Sequence, residues 1–521
     1  MLERCESGRI GLTANELTGE TRSEGSNPSL SASRPWVRDV VGRAARRDGA
    51  EVFGGQGVHV GEQRYWLQTL GCPKNRVDSD KLEGVLASDG FTPAGSPEGA
   101  DLVVVNTCAF IEAARQESIE TVLDLDQRRR AGSRLVVTGC MAERYGDELS
   151  QALPEVDLVA GFGVALVTRP VSVAVSLRRG DPSPPPVPSF DLLELPRPPM
   201  RSSWAYLKAA EGCDRACGFC AIPSFRGPQR SRTMRDLIAE TETLVAGGNG
   251  SPGVKEIVIV AQDLASYGRD RTTRRARRLA GDADGFGDLV ELVASVSAIA
   301  ARTRLLYLYP SSLTDPLVEA ILATDVPYFD LSLQHVSRPL LARMRRWGDK
   351  GRFLERIERI RWLDDRATFR SSFILGYPGE TEADHDQLLD FLTEAELDWA
   401  GFFLFSAEEG TLAYDLSEQV DPALALERLR ECTELQDRIT AGRRDRLVGQ
   451  RRSVLVDAVG VGRTVHEAPE IDGVVRVPSS FEVGTIAEMT IVESLGVDLV
   501  ARPVGLPRDA RDRSTLPMGA K

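Results

Sequence analysis

The sequence predicts an α/β protein in three parts: an N-terminal parallel α/β domain, a central partial (β/α)6 barrel, and a small C-terminal β-barrel. Three observations carry the prediction. From Arg64 onward, short apolar runs alternate with amphipathic stretches of helical period, the mark of a parallel sheet. Residues 181–201 hold eight prolines in 21 positions, a run that forms neither a helix nor an inner strand and so divides the chain. Past residue 450 the pattern turns to short alternating runs with no helix between them, as a small barrel requires.

In order, residues 1–62 lack any sustained apolar period, and Thr21–Ser33 is small and polar. They are expected to be a disordered extension, or a reading from a start codon placed too far upstream. Residues 63–178 form the first domain, with buried strands at Tyr65–Leu70, Leu102–Val105 and Leu135–Val137, each followed by a helical stretch. Residues 179–202 are the proline-rich linker. Residues 203–446 form the barrel, with strands expected at Ala205–Ala210, Glu256–Val260, Arg304–Tyr309, Phe329–Leu333, Arg370–Leu375 and Gly401–Phe405. Helices are expected between them at 235–246, 287–300, 315–323, 338–363 and 382–395. The strand ends are polar and glycine-rich, and the chemistry of such folds sits there. A long helix at 422–447 leads into the last module, 447–508, with runs at 453–459, 473–477, 487–493 and 498–504; residues 509–521 form a tail.

Bulk properties narrow the function. The chain has 521 residues, 42% hydrophobic and 27% charged, and no run of 18 apolar residues, so no membrane span is expected. No signal-peptide pattern follows Met1, which makes the cytoplasm the default location. A net charge of −13 provides no general attraction to nucleic acid and suits a basic protein partner better.

Eight cysteines are present, and in a reducing compartment they are more often ligands than disulfides. Cys213, Cys217 and Cys220 lie in a C-x3-C-x2-C loop directly after the first barrel strand. A four-iron cluster normally takes four cysteines, so three leave one iron open to chelate the amino and carboxylate groups of a small molecule. A zinc knuckle and inert buried thiols are the alternatives; zinc usually wants a fourth protein ligand, and no histidine lies within 100 residues of the loop. Cys72, Cys108 and Cys140 each follow a strand, with gaps of 36 and 32 residues, about one β/α unit apiece. Neighbouring parallel strands would bring their sulfurs together at one sheet end; three unrelated buried cysteines are the alternative. Cys5 and Cys432 read as structural or incidental.

Thr69–Ser79 (TLGCPKNRVDS), Asn106–Ile111 (NTCAFI), Val137–Tyr145 (VTGCMAERY) and Glu211–Arg232 (EGCDRACGFCAIPSFRGPQRSR) together resemble the radical S-adenosylmethionine (SAM) methylthiotransferases, over roughly residues 64–508. The resemblance implies an N-terminal cluster domain, a radical SAM partial barrel and a TRAM-like barrel. It implies two [4Fe–4S] clusters, one on Cys72, Cys108 and Cys140, the other on Cys213, Cys217 and Cys220 with SAM on its open iron. The second cluster would reduce SAM to a 5′-deoxyadenosyl radical that abstracts an unactivated hydrogen, and the first would hold the sulfur. Gln262, Gln334, Gly376 and Gly379 stand at strand ends where SAM could dock.

Within that family the chain is similar to the protein-modifying RimO branch: Ala221–Gly227 (AIPSFRG), Asp330–Ser337 (DLSLQHVS), Phe373–Thr381 (FILGYPGET) and Phe405–Thr411 (FSAEEGT) fit it. The branch implies methylthiolation of the β-carbon of an aspartate in small-subunit ribosomal protein S twelve, with an electron donor as second partner. The alternative is a tRNA methylthiotransferase acting on a modified adenosine. Residues 451–502 carry five Arg against eight Asp plus Glu, a net charge of −3, where an RNA-binding barrel should be basic. Arg269–Arg278 holds six arginines and reads as a solvated variable loop, or as a contact to ribosomal RNA.

Overall fold

The structure, a computed structural model, describes residues 63–166, 191–195, 197–198, 200, 202–248, 250–271 and 287–505. The expected N-terminal extension, the C-terminal tail and most of the linker and of the arginine-rich loop lie outside these residues.

In the N-terminal part, β1 (Arg64–Thr69), α1 (Pro73–Ser88), β2 (Thr92–Pro93), β3 (Leu102–Thr107), α2 (Glu112–Arg128), β4 (Arg134–Gly139), α3 (Cys140–Ala152) and β5 (Leu158–Ala160) follow one another. The strands form a parallel sheet of order β2-β1-β3-β4-β5. Its central strands are valine-rich and buried, as a sheet covered on both faces demands. The edge strands β2 and β5 have two and three residues, too short to print a period in the sequence.

The central part runs β6 (Trp204–Lys208), β7 (Ala210–Glu211), α4 (Ile222–Arg226), β8 (Arg230–Ser231), α5 (Met234–Ala246), β9 (Glu256–Val260), α6 (Gly287–Ser297), β10 (Arg302–Leu305), α7 (Asp315–Leu322), β11 (Tyr328–Gln334), α8 (Arg338–Arg343), α9 (Lys350–Leu363), β12 (Thr368–Leu375), α10 (Glu382–Ala395) and β13 (Trp399–Leu404). Two three-stranded parallel sheets, β6-β9-β10 and β11-β12-β13, are joined by a parallel bridge from Leu308 to Leu331. They make a six-stranded open arc with β6 and β13 at its edges.

Two expectations are corrected here. The third barrel strand ends at Leu305 rather than Tyr309, and Tyr307 takes a left-handed φ of +67°. The helix expected over 338–363 is two helices. Gly348, at φ +121°, packs so closely on Phe353 that a Cβ would stand 2.1 Å from its ring, and Asp349 caps α9 by accepting from the Arg352 amide.

The helix α11 (Pro422–Asp445) leads into a closed barrel of β14 (Arg451–Ala458), β15 (Val461–Arg463), β16 (Val475–Arg476), β17 (Ile486–Leu495) and β18 (Asp498–Pro503), in the order β14-β15-β16-β18-β17. Two of the eight acids over 451–502 are buried: Glu467 pairs with Arg444 and Asp472 accepts from the Tyr328 hydroxyl at 2.5 Å, while the half-buried Asp457 with Glu256 holds the buried Arg463. These groups fasten the barrel to the arc. Glu470, Glu482, Glu488 and Glu493 are exposed against Arg451 and Arg476, so the surface stays acidic in balance.

Glu408, 2% exposed beyond β13, accepts from Arg115 of α2 at 2.6 Å and Arg144 of α3 at 2.7 Å, clamping the N-terminal domain across the arc. Removing one partner of a buried pair strands the other charge, at about 3–5 kcal/mol. Glu408→Gln is therefore expected to lower the first thermal unfolding transition, measured by calorimetry. Among the described residues no helix is long and apolar enough to cross a membrane.

Candidate active site

Strands β1, β3 and β4 lie side by side, with Thr69 opposite Asn106 and Thr107 opposite Gly139. Cys108 follows β3 directly, Cys140 opens α3, and Cys72 is the N-cap of α1. The topology thus delivers three free thiols to one sheet end. Two glycines permit it. A Cβ on Gly71 (φ +87°) would stand 2.8 Å from Cys108 Cβ and 2.9 Å from its Sγ; one on Gly139 (φ +92°) would stand 2.3 Å from Asn106 Oδ1. Asn75 laces the turn, its Nδ2 donating to the Leu70 and Thr107 carbonyls at 2.9 and 3.0 Å. Gly71→Ala meets both the clash and a left-handed backbone cost of about 1–3 kcal/mol. The iron retained after anaerobic reconstitution, read by iron analysis, is expected to be lower in the variant than in the wild type.

The electrostatics suit a cationic centre. Burial works to raise the Cys72 thiol, but Lys74 and Arg226 outweigh it and hold the group below its ordinary value. Burial, then the neighbouring sulfurs of Cys140 and Cys72, pushes Cys108 up to about 12. Burial raises Cys140 against the pull of Arg226. Sulfurs that make one another costly to ionise are relieved by a bound metal, which takes them as thiolates. No three His, Cys, Asp or Glu side chains among the described residues surround one point closely enough to hold a single ion. A cubane is wider than an ion and takes its corner ligands further apart.

Cys213, Cys217 and Cys220 lie on the loop between β7 and α4. Gly212 (φ +76°) enters it, where a Cβ would meet the Pro228 carbonyl at 2.2 Å. The Cys213 amide donates to Gly227 at 3.1 Å, and the Gly218 amide to Met344 at 2.9 Å. Met344 lies in the break between α8 and α9, which also turns Arg346 toward the site, its Nη1 3.5 Å from Cys217 Sγ. The guanidinium groups of Arg215 and Arg346 lie 3.8 and 3.9 Å from the Tyr309 ring centre, and Asp263 holds Arg215 at 2.6 Å. Burial is the main cause that pushes Cys213 up to about 11 and Cys220 to about 12. On the flank, a polar cavity of about 230 Å³ is lined by Asp214, Arg215, Gln229 and Asp263 among others.

The two loops meet through Arg226 at the end of α4. Its Nη2 contacts Cys140 Sγ at 3.0 Å and donates to Asn75 Oδ1 at 2.6 Å, while Nη1 donates to Glu211 at 2.9 Å and Asp78 at 3.1 Å. Lys208 completes this buried network through Asp78, at 2.6 Å, and Glu211. Phe225 and Ala221 pack in the N-terminal domain's own core, so the segment just past Cys220 belongs to both domains.

Of the other residues singled out, Gln262 follows β9 and donates to Glu211 Oε1 at 2.6 Å, leaving its own Oε1 buried without a partner. Gln334 ends β11 at a register shift, in a left-handed conformation with φ +72°. Gly376 and Gly379 have packing reasons for their positive φ: a Cβ would stand 2.8 Å from Ala425 at the first and 2.1 Å from the Arg343 guanidinium at the second. Cys432 of α11 is buried in the apolar core of the arc. Sequence reading passed over Lys74, whose ammonium lies 3.4 Å from the Tyr307 ring centre, and Arg215, Arg226 and Arg346, and it placed Tyr309 at a strand end without giving it a role. Lys74, Arg215 and Arg226 stood beside the cysteine motifs as a signal, whereas nothing local marked Arg346.

Three family models match the chain: Uncharacterized protein family UPF0004 over residues 64–161, the Radical SAM superfamily over 207–392, and the TRAM domain over 448–504. The chain is 38% identical over 454 residues to the Ribosomal protein uS12 methylthiotransferase RimO of Akkermansia muciniphila, covering 84% of this chain and 98% of that one. It is 39% identical over 501 residues to the protein of the same description from Salinispora tropica, covering 85% and 95%. For that of Thermotoga maritima the figures are 38% over 445 residues, 82% and 97%.

Proposed function

The chain belongs to the RimO family of radical SAM methylthiotransferases, and on that premise we propose that it transfers a methylthio group to the β-carbon of an aspartate in ribosomal protein uS12. Cys213, Cys217 and Cys220 hold one [4Fe–4S] cluster, and Cys72, Cys108 and Cys140 hold a second. The group held by Cys213, Cys217 and Cys220, with a position open to SAM, would supply reductive radical chemistry, and the group held by Cys72, Cys108 and Cys140 would supply the sulfur. The reaction needs a low-potential electron donor and is placed in the cytoplasm, where uS12 is made.

The observation that carries this reading is the double role of α4. It begins two residues after Cys220 and ends on Arg226, which touches Cys140. Sulfur site and radical site are thereby built into one junction, as a reaction that must join a carbon radical to a held sulfur requires. Gln262 supports SAM docking: its buried, unpartnered Oε1 suits an amino N–H of a methionine moiety. The protein's own residues bind, orient and shield, because an unactivated C–H bond offers no proton that acid–base groups can take.

Mass spectrometry of ribosomal proteins from a deletion strain tests the assignment. Loss of the methylthio increment on a uS12 aspartate is the expected result. Unchanged uS12 together with altered tRNA would transfer the activity to the nucleic-acid branch.

A further inference from the structure

We propose that Arg226 is a positioning residue that sets the reduction potential of the cluster held by Cys72, Cys108 and Cys140, through its contact with the Cys140 sulfur. The proposal rests on the reading that these three cysteines hold a cluster. Three observations lead to it. The guanidinium reaches Cys140 Sγ at 3.0 Å by Nη2, whereas Nη1 is engaged by Glu211 and Asp78. The side chain is 3% exposed and its partners Asp78 and Glu211 are 2% and 10% exposed, so water screens the contact little. Arg226 and Lys208 stand against Asp78 and Glu211, two cations against two carboxylates, so the network is balanced before any cluster charge is added.

The direction follows from charge. Reduction adds an electron to the cluster, and a cationic N–H aimed at a ligand sulfur stabilises the more negative form. Removing it lowers the potential. The same loss leaves Asp78 and Glu211 facing only Lys208, so the net charge beside the cluster falls by one. Lysine cannot replace the fork, because one ammonium does not present two separate donor edges to a carboxylate pair and a sulfur. The same side chain joins α1 and α3 of one domain to β7 of the other, so the potential of the sulfur-carrying cluster is tied to the seating of the radical domain.

The test uses the full chain with Cys213, Cys217 and Cys220 all changed to alanine, reconstituted anaerobically, so that only the cluster in question is read. Its midpoint potential is measured by electron paramagnetic resonance during a redox titration, with Arg226 intact, in Arg226→Gln, and in Arg226→Lys. The expected result is a fall in potential for glutamine and a smaller fall for lysine. A potential unchanged in both variants overturns the proposal. Should Arg226→Gln fail to load iron, Arg226→Lys decides alone, by a lower potential or an unchanged one. If the parent itself binds no iron, the assignment of Cys72, Cys108 and Cys140 fails instead, and the two failures are thereby told apart.

Discussion

Cys217→Ala is expected to abolish formation of 5′-deoxyadenosine from SAM under anaerobic reducing conditions, to the background of the assay. Cys217 is the middle thiol of its loop, flanked by Arg346 at 3.5 Å and followed by Gly218, whose amide is gripped by the Met344 carbonyl. Two remaining thiolates do not hold three corners of a cubane, and no fourth cysteine stands in the loop to substitute. Bound iron should fall from about eight atoms per chain to about four. The other site should be intact, since the N-terminal sheet has its own apolar cores, one around Val103, Val105 and Val137 and one around Leu102, Val104 and Val136. Chromatography of the reaction with dithionite as reductant gives the answer. Undiminished 5′-deoxyadenosine would exclude this loop as the radical site.

Cys140→Ala should produce the complementary loss. Iron again falls by about four atoms, but 5′-deoxyadenosine still forms, because the Cys213 loop keeps all three thiols. The methylthio product on uS12 should disappear, since the sulfur has lost its holder. The substitution leaves a small gap beside Arg226, whose remaining partners Asn75, Asp78 and Glu211 still occupy its donors, so the domain junction should survive. Mass spectrometry of uS12 alongside the nucleoside assay separates the two losses. A methylthio product at the wild-type level would remove Cys72, Cys108 and Cys140 from the sulfur role.

Much of the architecture was legible because its signals are local. Glu256–Val260 and 382–395 are bounded by abrupt changes of pattern, and the structure ends β9 and α10 at those residues. The split of 338–363 was hidden because its apolar period continues through the break, although Gly348-Asp349 was the available sign. The tally of −3 over residues 451–502 could not say which charges are buried: Glu467 and Asp472 lie inside, paired with groups of the arc and of α11, while the exposed residues remain acidic in balance.

The sequence by itself determined the three-part order, the two cysteine sets and the family, since each rests on spacing and residue type along one stretch of chain. Tertiary structure alone decided which side chains stand between the two sets. Arg226, Glu211, Asp78 and Lys208 come from separate elements, and Glu408 meets Arg115 and Arg144 across more than 260 positions. Their energies depend on burial and distance, quantities that exist only once the chain has closed on itself.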